Sequence, residues 1–309
     1  MKHRRALVTG GAGFIGSHLV ERLLLEGMEV TVLDSLSIGK RENVPAGARF
    51  VLGDVRNPDI VAAVVSGVDV VFHLAARVSI RASVAGFWED AETNLMGMLN
   101  VLRACASRKA KKLIFSSSMA VYADAPSPVP LPESYDTVPM SPYGVAKLAS
   151  ERYAMLVAGQ SGFEALALRI FNTYGPRQTF TPYVGVITIF VQRLLRGEPP
   201  IIFGDGEQCR DFVYVGDVVE AMFRAMLSDV HGGVFNVGSG RGISVNQIAS
   251  LLCARLRPDI SPRYAPAHPG ELRNSVADIS KAQRLLGYEP HGQLEDRIDE
   301  VIAWNRGTT

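Results

Sequence analysis

The chain has 309 residues, a formal net charge of +1 and 47% hydrophobic residues. That length carries one large α/β domain or two smaller ones with an ample core, and a near-neutral balance without basic clusters leaves no electrostatic footprint for nucleic acid. No apolar run reaches the length of a membrane span, and three widely spaced cysteines, Cys105, Cys209 and Cys253, argue for packing residues in a reducing compartment rather than a disulfide framework or a zinc site.

Met1-Lys2-His3-Arg4-Arg5 runs straight into strand-like residues, without the apolar run and small-residue cleavage site of a secretory signal. A cytoplasmic setting with no membrane partner is therefore expected. Arg5 to Val8 reads as the end of a buried strand, and Phe14 to Leu25 as a helix with Phe14, Ile15, Leu19, Leu23 and Leu24 at helical spacing. Between them, Gly10, Gly13 and Gly16 permit a tight turn, close approach of backbone to a phosphate, and a helix lying near the sheet with its first amides facing an anion. A second strand, Glu29 to Leu33, ends on Asp34, about twenty positions beyond the glycines, where a carboxylate reads the adenosine ribose of a dinucleotide. Because that carboxylate repels a 2'-phosphate, the unit predicts NAD rather than NADP.

Arg49 to Asp54, Val68 to Ala75, Lys112 to Ser117 and Ala165 to Ile170 are strand-like, with helical segments between them. Such alternation builds a Rossmann-type, doubly wound parallel sheet covered on both faces, and ligands collect at the carboxyl ends of its strands. Cofactor contacts are therefore expected from Asp54, as an acceptor for an adenine amine, from Val55, and from Leu74, Ala75 and Ala76, whose small neighbours let a cofactor lie across the backbone. His73, closing an apolar strand, reads as a structural histidine.

The fifth strand runs off into Ser116-Ser117-Ser118, and after a proline-rich loop over 125–139, either a lid or an interface, Ser141-Pro142-Tyr143-Gly144-Val145-Ala146-Lys147 starts a helix. Tyr143 and Lys147 are one turn apart and share a face. A free tyrosine, with a pKa near ~10, is a poor base at neutral pH. A nearby ammonium together with the positive nicotinamide of NAD favours the phenolate, which takes a proton from a sugar hydroxyl while hydride leaves the same carbon.

The order Gly10-x-x-Gly13-x-x-Gly16, Asp34, Gly53-Asp54, Leu74-Ala75-Ala76, Asn94, Ser116-Ser117-Ser118, Tyr143-x-x-x-Lys147 resembles the extended short-chain dehydrogenase/reductases. Within them it is similar to the nucleotide-sugar epimerases of the UDP-galactose (UDP-glucose) 4-epimerase type, along essentially the whole chain. The resemblance implies that Tyr143 is the general base, Lys147 its partner and a ligand of the nicotinamide ribose, and Ser118 the hydrogen-bond partner of the sugar O4, with Ser117 as the fallback if the register slips by one. Asn94 matches a helix asparagine that helps organise the active site on the cofactor side. In the second half, the resemblance implies Asn172 at the diphosphate, a helix from Val186 to Arg196, Ile202 and Phe203 against the uracil and ribose, Arg210 forking onto the phosphates, and Arg273, in the segment Pro269 to Asp278, capping them. For Arg210 an ion pair with Asp205 or Asp211 is the competing reading. Val234 to Gly238 reads as a strand returning to the sheet, so the smaller α/β substrate domain is discontinuous: 1–170 plus about 212–238 bind NAD, and about 171–211 plus 239–309 bind the nucleotide sugar. Two helices, Ser280 to Leu286 and Leu294 to Trp304, follow.

Departures from the family narrow the chemistry. Relatives that dehydrate a 4-keto sugar carry an acidic pair where this chain has Met119 and Ala120, neither of which transfers a proton. Ser275 falls at a gatekeeping position, where a small residue leaves room for an N-acetyl group. Ser79 and Arg81 lie at the sugar approach, Arg81 either pairing with a C6 carboxylate or standing solvated. The resemblance thus implies an NAD-dependent isomerase that inverts C4 of UDP-glucose/UDP-galactose, or of their N-acetyl forms, through a transient 4-keto sugar. UDP-glucuronate 4-epimerisation or decarboxylation is the alternative. It also implies a homodimer through the helix after Ala91 and the catalytic helix, where Met96, Leu99, Leu102, Tyr153, Met155 and Leu156 are apolar residues that suit either an interface or core packing.

Overall fold

A computed structural model describes residues 3–179, 185–267 and 273–307. The 269–272 part of the segment expected to lead into Arg273 lies outside the described residues. The first half runs β1 (Arg5–Thr9), α1 (Phe14–Leu25), β2 (Glu29–Asp34), β3 (Arg49–Leu52), α2 (Pro58–Val65), β4 (Val70–His73), α3 (Ile80–Ala85), α4 (Phe87–Ala91), a π-helical stretch (Glu92–Met96), α5 (Gly97–Arg108), β5 (Lys112–Ser118), β6 (Pro130–Leu131), α6 (Pro142–Ser161) and β7 (Glu164–Ile170). The second half runs β8 (Asn172–Tyr174), α7 (Val186–Leu195), β9 (Ile201–Phe203), β10 (Cys209–Tyr214), α8 (Val215–Leu227), β11 (Gly232–Val237), β12 (Gly242–Ser244), α9 (Val245–Leu256), β13 (Arg263–Ala265), β14 (Asn274–Ala277), α10 (Ser280–Leu286) and α11 (Leu294–Gly307).

Seven strands form one parallel sheet in the order β11-β7-β5-β4-β1-β2-β3. Its strands are apolar on both faces because both are covered. Along β1, Leu7 enters a core with Leu33, Val71, Met98 and Phe115, while Val8 enters the opposite one with Leu19, Phe72, Met222 and Phe235. From β1 the chain winds outward to β2 and β3, then crosses to β4 on the other side. That reversal opens a crevice at the carboxyl ends of β1 and β4.

As expected, β11 returns to this sheet, pairing with β7. A second sheet, β12-β10-β14-β6 with β8 also on β10, stands over its own core of Phe190, Ile202, Phe212, Leu252 and Ile298. Asp211 knits it together: the buried carboxylate accepts from Ser239 N and Oγ, both 2.7 Å, from Gly240 N at 2.9 Å and from Ala277 N at 3.1 Å. The domain boundary differs from the expected one at α10. Ala282, Leu286 and Tyr288 join the core under the large sheet, so this part of 239–309 packs with the cofactor half. The strands β6, β12 and β13, two or three residues each, are too short to show a periodicity in the sequence.

Candidate active site

The crevice begins at the glycine turn. Gly10 has φ +75°, and a Cβ there would lie 2.7 Å from the Ala75 amide nitrogen, so the Leu74–Ala75 backbone rests directly on the turn. A Cβ on Gly16 would collide with the Gly10 carbonyl. Helix α1 starts from Gly13 without a side-chain cap, which leaves its first amides open. Asp34 braces the turn from β2, accepting from Ala12 N at 2.9 Å and from Leu36 N at 2.8 Å. These features fit a dinucleotide: a cradle that a side chain would fill, uncapped amides for the pyrophosphate and a buried carboxylate at the ribose position. Phe14 and Ile15 begin α1, as expected.

The other strand ends are more constrained. Asp54 is gripped by Arg56, whose Nε is 3.1 Å from both carboxylate oxygens, and this hydrogen bonding holds the carboxyl below its usual range. Val55 is buried beneath Gly97. His73 meets Thr9 Oγ1 at 2.8 Å and stacks on Phe115, and burial lowers its pKa to about 3. It is a neutral, structural histidine. Asn94 departs from the cofactor contact expected of it. Its carboxamide is buried and engaged at both ends, accepting from Arg77 N at 2.9 Å and donating to Arg77 O at 3.0 Å and Asp90 Oδ1 at 2.9 Å. It therefore shapes the crevice wall instead of facing a ligand.

Helix α6 begins where its sequence dictates. Ser141 caps it by accepting from Gly144 N at 3.1 Å, Pro142 opens the first turn, and glycine at 144 lets the helix end abut the Ala120 carbonyl beyond β5. Tyr143 is thereby brought to the carboxyl end of β5, with its phenol beside the Ser118 hydroxyl. Lys147 Nζ donates to Ser116 O at 2.8 Å and lies 5.6 Å from the Tyr143 ring centroid.

Ser117 points elsewhere. Side chains alternate along a strand, so it faces away from Ser116 and Ser118 and donates to Glu151, which removes it as the fallback hydroxyl. Glu151 is also held by Arg169 through Nε at 2.9 Å and a terminal nitrogen at 2.8 Å, and Arg169 donates to Glu133 O at 3.1 Å. The sequence reading missed this buried network. The signal was present, because Glu151 follows Lys147 by one helical turn on the same face.

The lysine alone does not acidify the phenol. Burial raises Tyr143 to about 12, with the Ser118 hydrogen bond pulling it down and Asp90 pushing it up, while burial lowers Lys147 to about 8. Desolvation outweighs any acidification of the phenol by the lysine, so a phenolate requires further positive charge in the crevice.

The second sheet presents the remaining residues. Asn172 pairs with Phe212, and Ser275 pairs with Arg210. Because 210 and 212 lie on one side of β10, Asn172, Arg210 and Ser275 share a face. Asn172 Oδ1 and Ser275 Oγ are buried without a hydrogen-bond partner among the described residues, as at a site built to receive a polar ligand. The same terminal nitrogen of Arg210 donates to Cys209 O at 3.0 Å and to Arg273 O at 2.8 Å. Arg273, expected to cap the phosphates, pairs with Asp205 at 2.7 Å on the exposed rim. Ile202 is fully buried in the second core and so is not open to a base, whereas Val186, a further expected substrate contact, is half-buried against that core and Phe203 is 37% exposed. Ser79 caps α3, accepting from Ala82 N at 3.1 Å, and Arg81 is exposed on that helix.

A dinucleotide cradle at the switch point of a Rossmann sheet, with a buried Tyr–Lys pair beside it and a second sheet offering polar groups, defines a nucleotide-dependent enzyme of the short-chain dehydrogenase/reductase class. The model of the NAD dependent epimerase/dehydratase family matches residues 6–238. A putative UDP-glucose 4-epimerase of Methanocaldococcus jannaschii is 37% identical, over 96% of this chain and 97% of that protein. The solved UDP-glucose 4-epimerase of Thermotoga maritima with UDP-glucose superposes with a TM-score of 0.94 at 42% identity, covering 98% of this chain and 99% of that one. A UDP-N-acetylglucosamine 4-epimerase of Methanobrevibacter ruminantium gives 0.94 at 37% identity over 100% of both chains, and a UDP-glucuronic acid 4-epimerase variant of Bacillus cereus with NAD gives 0.91 at 31% identity over 99% and 100%. The chain belongs to the NAD-dependent epimerase/dehydratase family.

Proposed function

We propose that the chain is a UDP-hexose 4-epimerase, interconverting UDP-glucose and UDP-galactose and admitting their N-acetyl forms. The observation that carries this is the Tyr143 phenol, buried beside Ser118 and one turn from Lys147, at the mouth of a dinucleotide cradle. Bound NAD supplies a hydride acceptor and donor for sugar C4 and a positive charge that offsets the burial of the phenol. Tyr143 takes the O4 proton and returns it, and Ser118 aligns O4 with the phenol. Lys147, fixed on the Ser116 carbonyl, contributes its charge and a hydrogen bond to the nicotinamide ribose. Asp34 reads the adenosine ribose, Asp54 and Val55 flank the adenine, and Leu74, Ala75 and Ala76 form the floor. Asn172 and Arg210 hold the diphosphate, leaving the hexose free to turn and present its other face. Met119 and Ala120 offer no acid for dehydration.

The test is to supply purified protein and NAD with UDP-glucose, UDP-galactose, UDP-N-acetylglucosamine and UDP-glucuronate, and to follow the sugar nucleotides by NMR and mass. Interconversion of the two hexoses without change of mass is expected. Turnover confined to UDP-glucuronate, with or without loss of carbon dioxide, would replace this reading by the uronate one.

Ser275 is 2% exposed, with an unengaged hydroxyl. Ser275→Tyr is expected to lower kcat/KM for the N-acetyl substrate about tenfold or more while sparing UDP-galactose, because added bulk excludes the larger substituent. Equal losses on both substrates would remove Ser275 from specificity.

The same proposal includes a homodimer. Met96, Tyr153 and Leu156 are 51%, 44% and 57% exposed, whereas Leu102 is buried and Leu99 and Met155 pack partly on the core, so only the first three suit an interface. Sedimentation at twice the chain mass of 33.5 kDa is expected, and a monomer would refute the dimer. A cytoplasmic setting completes the proposal, supported by three unpaired cysteines. No helix among the described residues is long and apolar enough to cross a membrane.

A further inference from the structure

Helix α4 packs against α6 and carries a carboxyl that none of the steps above uses. Asp90 is 1% exposed. One of its oxygens accepts from Asn94 Nδ2 at 2.9 Å, and the other is buried without a hydrogen-bond partner among the described residues. A carboxyl so placed would ordinarily stay neutral, since one neutral hydrogen bond does not replace the water it has lost. Burial does raise the Asp90 carboxyl above its usual range, while the Asn94 hydrogen bond and two cations, Arg77 on the loop after β4 and Lys147 on α6, pull it back down. Lys147 in turn is buried with Nζ on a neutral carbonyl, faced by His73 from β4, by Glu151 on its own helix and by Asp90 across the helix contact. The Glu151 charge is already matched by Arg169 in a two-point ion pair. His73 is neutral. Asp90, which also faces Arg77, is therefore the negative group near the lysine that carries no two-point ion pair among the described residues.

We infer that Asp90 is a positioning residue for the Tyr143–Lys147 pair, its carboxylate supplying the counter-charge to the buried Lys147 ammonium. The charge favours the lysine proton and opposes the Tyr143 phenolate, so it sets the pH at which the pair is ready. The scaffold role of Asp90 is separable, because the oxygen facing Asn94 is an acceptor that an amide reproduces. The effect on turnover rests on the epimerase reading; the effect on the lysine does not.

Asp90→Asn keeps the acceptor and removes the charge. In this variant the Lys147 titration midpoint, followed by carbon NMR of the lysine side chains with Lys147 identified by its loss in Lys147→Arg, is expected to fall by about one pH unit, tenfold in the protonation equilibrium. The pH profile of kcat/KM for the UDP-sugar is expected to move the same way, since the charge raises both pair members, with NAD binding and melting temperature kept. Titration and rate profiles superimposable on wild type, in a variant that melts normally, would overturn the inference. If the variant does not fold, the wild type decides: the Asp90 carboxyl carbon is expected to show an inflection at the Lys147 midpoint, and its absence overturns the coupling. Wild-type protein inactive on every UDP-sugar would sink the epimerase reading and leave the NMR arm to judge Asp90.

Discussion

Tyr143→Phe is expected to reduce turnover by about 10²–10⁴-fold while leaving NAD binding, KM and melting temperature close to wild type. The variant keeps the ring, which is 8% exposed and packed at the start of α6, and loses only the hydroxyl beside Ser118, a net stability change of about 1 kcal/mol or less. KM should hold because the diphosphate groups are proposed to bind on β8 and β10, away from the phenol. The pH dependence follows from the shift. The phenolate is the active form and burial sets Tyr143 at about 12, so wild-type activity should rise with pH along an acid limb placed well below that value by the positive charge of the bound cofactor. Steady-state rates and a cofactor titration on the same preparation test this. Turnover within threefold of wild type would remove Tyr143 as the base without touching the cofactor assignment.

Arg169→Met is expected to destabilise the fold by about 3–5 kcal/mol, read as a lower denaturant midpoint at unchanged m. Arg169 and Glu151 are 3% and 2% exposed, and removing the guanidinium leaves the carboxylate in the interior with Ser117 as its remaining hydrogen-bond donor. The loss is larger than an ion pair because the same guanidinium holds the Glu133 carbonyl ahead of α6 and lies 4.7 Å over the Tyr122 ring. The double variant Arg169→Met/Glu151→Met should recover much of the stability, since no charge is then stranded. It should not recover full activity, because Glu151 also ties α6 to Ser117, between the carbonyl that holds Lys147 and the hydroxyl that meets Tyr143. A single-variant cost below about 1 kcal/mol would mean that water reaches the pair.

Features dictated over a few residues were readable in advance. The glycine turn depends on backbone freedom at Gly10 and close packing at Gly16, Asp34 on its place at the end of β2, and the Tyr143–Lys147 face on helical spacing, all local matters. The alternation of strands and helices likewise led to the parallel sheet and to the return of β11. The choice between Ser117 and Ser118 was contained in the strand period as well, once the register of β5 was known.

Assignments that depended on packing partners were the ones revised. Nothing near Arg273 in the chain reveals that Asp205 would take its guanidinium, nor does the apolar run at Ile202 say whether it lines a ligand or fills a core. Asn94 looked like a cofactor neighbour until Arg77 and Asp90 occupied its amide. The α6 spacing brought phenol and ammonium to one face, yet the acidity of each followed from how much water the surrounding elements exclude. Spacing along the chain was enough for the nucleotide-binding class and its reactive pair, because helix and strand periods convert it directly into shared faces. Charge states, occupied hydrogen bonds and the division between ligand and core came only with tertiary packing, because burial and partners are contributed by other segments of the chain, some of them a hundred or more residues away.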